Sequence, residues 1–353
     1  MKDGGVDRFP LLRLPENVKL LIVKHMDLHD AFKLSFLSKR AMHLLQQRNL
    51  RENYVEVKVT SSICIEGQCW IWDPPTCIRY EIKFPEYDNR KHFLDSKNLN
   101  PRCQIFSSGT NYEICPAFKI KRGGYGFEDY LNHCLTLTKA QNVDILTFQR
   151  EVQNLEEFRR IIPKIWKLKI LDMFPDNSIQ DVLRLFVPNV LQIDREYANI
   201  EHHLISNLDR VMTAFPWNLT LDNLLSMNAR DIEMTVDQFS AIDLNRFLKL
   251  WMKGSNRRLK HLELKIRNSP KLEKGRIWKG IKYEVQPDKL MRYFRYARTA
   301  TNGGFDIKRK DGTLAIINTD EHTFFNIITN NKHQILYVVM YVALLFTHST
   351  LTY

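Results

Sequence analysis

No stretch of the chain offers the roughly twenty consecutive apolar residues that a membrane-spanning helix needs. A run of twelve, ILYVVMYVALLF at 335–346, has the length of a buried or interfacial element, so no membrane anchor is expected. The first ten residues, MKDGGVDRFP, lack the apolar core of a secretory leader, so none is expected there. Cysteine is confined to one stretch, with all six at 64, 69, 77, 103, 115 and 134. In a chain without a leader these read as reduced thiols of a cytosolic or nuclear protein. Cys64 and Cys69 form a loose pair, Cys77 follows after a longer gap, and no second tight pair completes a zinc set. Buried structural thiols are therefore expected, and no metal.

The motifs of catalysis are missing too. There is no G-x-S-x-G nucleophile elbow and no G-x-x-x-x-G-K-[ST] phosphate loop. Gly123-Gly124-Tyr125-Gly126 lacks the spacing of a dinucleotide fingerprint, and KRGGYGFED around it reads as a loop. No H-E-x-x-H pairing exists, and the adjacent His202 and His203 would point apart on a helix. No residue is thus put forward as catalytic, cofactor-binding or metal-binding. An enzyme in the α/β region would have to reveal itself as a pocket with converging titratable groups.

What is present begins with an ordinary globular composition, 44% hydrophobic and 26% charged, on a chain long enough for a small module followed by a larger one. The net charge of +12 is concentrated: Asn256 to Lys310 holds 17 Lys and Arg against five acidic residues, leaving the remainder neutral. Such a segment attracts phosphate or acidic protein surfaces. Arg292, Tyr293, Phe294, Arg295, Tyr296 and Arg298 interleave bases with aromatics as single-strand binders do. However, Leu290, Phe294 and Ala297 also fit one buried helix face, and no nucleic-acid motif accompanies the charge. A nucleic-acid or acidic partner is the alternative reading, and nucleic acid is not the expected partner.

Along the chain, Pro15 can open a helix whose apolar stripe is Val18, Leu21, Ile22 and Met26. Asp27 and Asp30 offer caps at the break. A second helix carries Phe32, Leu34, Phe36 and Leu37, then Met42, Leu44 and Leu45. Residues 54–120 are β-rich and antiparallel in pattern, with turn signals at Glu66-Gly67 and Asp73-Pro74-Pro75. From Asn142, short apolar strands alternate with helices. Strand starts near 143, 168, 190, 219, 231 and 259 give, with one shorter step, the 20–30-residue period of a strand-plus-helix, leucine-rich-repeat-like solenoid, or of one open α/β sheet. Residues 305–319 read as a β-hairpin turning at Asp311-Gly312.

Two stretches resemble a known family. FPLLRLPENVKLLIVKHMDLHDAFKLSFLSKRAMHLLQQ is similar to the F-box, with Phe9, Pro10, Leu11, Leu14, Pro15, Val18, Ile22, Met26, Leu34, Ser35, Ser38, Lys39 and Arg40 matching. Its opening FPLLRLP looks like the version in the large nematode family of F-box proteins. Lys24-His25 and His29 depart from the pattern. LTLDNLLSMNARDIEM and DLNRFLKLWMKGSNRRLKHLELKI resemble that family's type 2 F-box-associated domain through Asp243, Leu244, Asn245, Phe247, Leu248, Trp251, Gly254 and Leu259. Asp306-Ile307-x-Arg309-x-Asp311-Gly312-Thr313 resembles its C-terminal hairpin.

The resemblance implies an α+β multidomain chain. An F-box at 9–50 would precede an antiparallel β-rich connection at 51–135, an α/β leucine-rich-repeat-like associated domain at 136–330 and an atypical apolar tail at 331–353. It also implies the substrate receptor of a Skp–cullin–F-box ubiquitin ligase, without catalytic residues or cofactor, in the cytoplasm or nucleus. Leu14, Pro15, Val18, Ile22, Met26, Leu34 and Ser38 would meet a Skp-type adaptor and through it the cullin. An unidentified client, acidic or phosphorylated given the basic segment, would be held by the associated domain.

Overall fold

The computed structural model describes residues 11–47, 51–72, 75–86, 94, 97, 99–108, 112–114, 117–120, 122–195, 197, 200–237, 239–267, 274–294, 299–325 and 332–343. The chain forms two compact units, one of residues 1–166 with 173–187 and the other of residues 167–172 with 188–353.

The first unit opens with a 3-10 turn at Leu11–Arg13 and helices α1 (Glu16–His25), α2 (Leu28–Ser35) and α3 (Lys39–Gln46). Pro15 sits at the cap of α1 with φ −54°, where its missing N–H costs nothing. Asp27 accepts from the His29 amide at 2.7 Å and so starts α2. The sequence reading ran one helix from Phe32 to Leu45, but the chain breaks it. Ser38 adopts an extended backbone and caps α3 by accepting from the Ala41 amide at 3.1 Å, and a serine at that position favours a new start over continuation.

Strands β1 (Arg51–Val59), β2 (Ser62–Trp72), β3 (Pro75–Glu86), β4 (Arg102–Ser108), β5 (Tyr112–Ile114) and β6 (Phe118–Lys119) follow. Helix α4 (Phe127–Thr138), β7 (Val143–Phe148), α5 (Leu155–Ile161) and α6 (Asp176–Leu185) complete the unit. The sheet order is β7-β1-β2-β3-β4-β5, with β6 also on β4. β7 lies parallel to β1 and the remaining pairs are antiparallel. Alternation buries Val55, Val57 and Val59 on one face of β1. The expected turn at Glu66-Gly67 does not form, because β2 runs straight through it. Gly67 serves a close approach instead: a Cβ there would run into the ring of Tyr80, its partner on β3. The other expected turn includes residues 73 and 74, outside the described residues. Helix α4 begins where the sequence suggested only loop, and the boundary at 135/136 falls inside it.

The second unit contains β8 (Ile165–Ile170) for the most part, β9 (Val190–Ile193), α7 (Glu201–Leu204), β10 (Arg210–Trp217), α8 (Leu221–Ser226), β11 (Asp231–Val236), α9 (Ala241–Lys253) and β12 (His261–Ile266). A short α10 (Lys274–Ile277) leads to β13 (Glu284–Phe294), β14 (Thr299–Lys308), β15 (Leu314–Phe325) and β16 (Lys332–Ala343). Strands β8 to β12 lie side by side and parallel. β16 then joins β12 antiparallel, followed by β15, β14 and β13. In β11 and β12 alternate residues Ile232, Met234, Val236, Leu262, Leu264 and Ile266 are buried.

Several expectations change here. The strand placed near 219 is helix α8, because Thr220 and Asn223 cap each other's backbone amides and start a helix. The strand not expected is β10, whose first three residues, Arg210–Met212, continue the helical spacing of the segment before it. Pairing with β9 and β11 on both sides overrides that helical spacing. Leu290 and Phe294 lie on β13, not on a helix, and Ala297 is outside the described residues. The hairpin forms, but residues 309–313 make its loop. Residues 332–343, expected in an atypical tail, are a strand hydrogen-bonded to neighbours on both sides. A continuous apolar run suits such an internal strand.

Candidate docking site

Helices α1 to α3 bury Val23, Ala31, Phe32, Phe36, Ala41, Leu44 and Leu45. In the first unit α2 and α3 are fastened to α4 and to the sheet. Ser35 Oγ lies 2.8 Å from His133 Nε2 and donates to the Phe32 carbonyl at 2.6 Å. Phe36 stacks on the His133 ring with centroids 3.9 Å apart. Arg122 donates to the Phe36 carbonyl at 2.7 Å, and Gln46 donates to that of Thr136 at 2.6 Å. Phe32 packs against Tyr80 at 5.1 Å, and His29 and Lys33 sit over Phe118. Burial first, and then the Arg122 cation, hold the His133 pKa down to about 4. The imidazole is therefore neutral, as a ring stacked in an apolar seam should be.

Apolar side chains remain outward among charged ones such as Glu16, Lys24 and Arg40. Leu21 is 59% exposed and Leu37 75%, with Val18 and Leu20 beside them near 36% and 37%. Of the residues read from the sequence, Pro15 and Val18 are exposed, while Leu14, Ile22, Met26, Leu34 and Ser38 are half-buried. Ser38 spends its side chain on the α3 cap. Leu20 and Leu37 were missed as surface residues. The run from Val18 to Val23 is apolar except for Lys19, so its spacing cannot say which side faces in; burial of Val23 settles it.

The motif residues around α9 in the second unit all have scaffold roles. Ser240 and Asp243 form a reciprocal cap at the start of α9. Leu244, Phe247, Leu248 and Trp251 are buried along one side, and Leu259 with them. Asn245, also buried, donates to the carbonyls of Ile277 at 2.7 Å and Lys279 at 2.9 Å. Gly254 ends α9 at φ +114°, a conformation a side chain would strain. Asn256 then donates to the carbonyls of Leu224 and Met227, tying off α8. Lys310 N–H donates to the Met252 carbonyl at 3.0 Å. The Arg309 guanidinium lies over the Trp251 ring and donates to Asp311 and Thr313. The α9 stretch and the later hairpin, far apart in sequence, are thus one piece of structure.

Among the described residues two clusters have metal-ligand chemistry. Cys64, Glu66 and Glu81 gather in the first unit, and Asp231, Glu233 and His261 in the second. Lysine and arginine side chains already stand against both: Glu66 pairs with Lys58 at 2.6 Å and Arg79 at 2.9 Å, and Asp231 with Arg210 at 3.2 Å. Burial, with Glu81 and Glu66 nearby, pushes the Cys64 thiol far up, so it stays protonated. A cavity of ≈ 870 Å³ in the first unit is lined by Thr60, Arg150, Glu151, Phe174, Ser178 and Asp181 among others. Its lining contains no histidine, cysteine or lysine, and the Ser178 hydroxyl donates to the Glu151 carboxylate.

Comparison with known proteins converges on the same two places. The F-box domain family matches residues 11–53, and the family described as F-box associated matches residues 199–264. "F-box associated domain-containing protein sdz-33" of Caenorhabditis elegans is 22% identical over 330 residues, covering 90% of this chain and 97% of that protein. No solved structure matches.

Proposed function

Because the chain belongs to the nematode F-box proteins, we propose that it is the substrate receptor of a Skp–cullin–F-box ubiquitin ligase. The observation that carries this reading is the apolar surface left on α1 and at Leu37 after α2 and α3 have been spent on α4 and the sheet. Pro15, Val18, Leu20 and Leu21, with Leu14, Ile22, Met26 and Leu34 behind them, would enter a groove of the Skp-type adaptor. A few buried anchors supply most of the energy of such an interface. The adaptor brings the cullin, and the associated domain brings a client. Ubiquitin transfer then gains from proximity, so this chain needs neither nucleophile nor cofactor.

The sequence partition at 9–50, 51–135 and 136–330 becomes, on this reading, a functional division into adaptor side, connection and client side. The parallel strands β8 to β12 with helices between them support a repeat-like reading of the client side. Among the described residues no helix is long and apolar enough to cross a membrane.

Co-purification of the tagged full chain with a Skp-type adaptor tests the reading. Wild type should retain the adaptor, Pro15→Ala with Ile22→Ala should lose it, and Leu21→Glu should lose it with the melting temperature unchanged. A wild-type chain that captures no adaptor, or a Leu21→Glu chain that keeps full binding, would sink the docking face.

A further inference from the structure

The motif residues of the second unit do more than fill a core: each holds a segment that carries a lysine. Helix α9 exposes Arg246 and Lys253, with Lys249 half-exposed between them. Their spacing of three and four puts them on one stripe. Gly254 ends the helix immediately after Lys253. Asn245 grips the carbonyl of Lys279, and the Lys249 ammonium reaches that same turn, 3.3 Å from where a side chain on Gly280 would begin. The Arg309–Asp311–Thr313 lock shapes the hairpin loop beside Lys308, and the Lys310 amide is pinned to Met252. Lys279, Lys308 and Lys310 are all exposed.

None of Arg246, Lys249, Lys253, Lys279, Lys308 and Lys310 has an acidic partner among the described residues. Three nearby carboxylates are committed elsewhere, Asp243 to its cap, Asp306 to Arg292 and Asp311 to Arg309, while Glu284 lies exposed opposite Asp306 on β13. Like charges repel, so six cations gathered around one helix, outnumbering the carboxylates beside them, favour an anionic partner. Five of the six are lysines, which act as rotatable point charges and do not demand the planar two-oxygen geometry that arginine reads. Of the described aromatic groups beside them, Trp251 and Trp278 are buried, and Tyr283, 41% exposed, packs its ring against Trp278 and Phe305. A single-stranded nucleic acid stacks successive bases on several exposed rings, and among the described residues this face offers Tyr283, whose ring is already packed in this way.

We infer that the face formed by α9, the turn after α10 and the 308–310 edge of the hairpin docks an acidic polypeptide segment rich in glutamate and aspartate. Resting on the receptor reading above, this names the class of client that the ligase would take.

The test uses the purified full chain, a fluorescent glutamate-rich peptide, a neutral peptide of the same length and a single-stranded oligonucleotide. Anisotropy should show the acidic peptide bound at about 50 mM salt and released as screening rises toward about 300 mM. Lys249→Glu, Lys253→Glu and Lys310→Glu combined should weaken it at least about tenfold, while Lys164→Glu in the first unit should leave it unchanged. If the triple reversal does not fold, the triple glutamine variant keeps the test open, with a smaller loss in the same direction. The inference is overturned if the acidic peptide binds no better than the neutral one, if the triple variant binds as wild type, or if the oligonucleotide binds more tightly. Adaptor capture measured on the same preparation separates the two readings: adaptor bound without acidic peptide defeats this inference alone, and the reverse defeats only the receptor assignment.

Discussion

The guanidinium of Arg309 lies 5.1 Å from the ring centre of Trp251, and one of its nitrogens, Nη1, has no hydrogen-bond partner among the described residues. The ring face is what that nitrogen has in exchange for water. The remaining nitrogens hold Asp311 and Thr313 at 2.9–3.1 Å, and Arg309 first, then Thr313, keeps the Asp311 carboxyl well below its ordinary range. Arg309 therefore joins helix α9 to the hairpin loop through one side chain. Lysine at 309 would keep the charge and lose the planar fork. We expect Arg309→Lys to destabilise the chain by about 1 kcal/mol or more, and Trp251→Phe combined with it to reveal a coupling of about 1 kcal/mol. Strictly additive losses in a denaturant double-mutant cycle would show that the two residues do not act together.

Asn245 offers a cleaner case, because it is a buried amide with two carbonyl acceptors. Asn245→Ala leaves the Ile277 and Lys279 carbonyls without that donor, a loss of about 1–3 kcal/mol. Asn245→Asp should be worse, since a carboxylate facing two carbonyls repels them. Hydrogen exchange should rise first in residues 277–281, the turn that Asn245 grips. Unchanged protection there would mean that the turn is held by Trp278 and Ile281 packing alone.

How far the sequence revealed these sites depends on what kind of signal each one leaves. The DLN-x-FL pattern marked α9 because its capping box and buried stripe both follow from spacing along one helix. The cross-strand connections left no such trace. Nothing local in Arg309 says that it will meet Trp251, fifty-eight positions earlier, and nothing in Lys310 says that its amide will close on Met252. Strand β10 was hidden because the helical spacing of the segment before it carries on into Arg210–Met212, and its two parallel neighbours decide the matter. The exposed side of α1 was half legible: Pro15 and Asp27 marked the ends of the helix, but a nearly unbroken apolar run could not reveal that Val23 turns in and Leu21 turns out.

His133 turns burial into a pH dependence whose sign can be worked out. In the folded chain its pKa is held near 4, first by burial and then by Arg122, against an ordinary value near 6.5 for the exposed imidazole of the unfolded chain. As pH falls, the unfolded state takes the proton first, so stability is complete above about pH 6.5 and drains away toward about pH 4. The loss should be about 2 kcal/mol at about pH 5 and on the order of 3 kcal/mol once the folded imidazole also protonates. Below that both states carry the proton and this contribution stops changing. Protonation would place a cation in the seam where Phe36 stacks and beside Arg122, so α2 and α3 should loosen from α4 before the sheet opens. Denaturant midpoints from about pH 7.5 to about pH 4.5 should therefore fall for wild type and stay flatter for His133→Gln, which has no proton to gain. Equal slopes in the two proteins would mean that the imidazole is solvated in the folded state, and that the Ser35–His133 contact does not clamp these helices to α4.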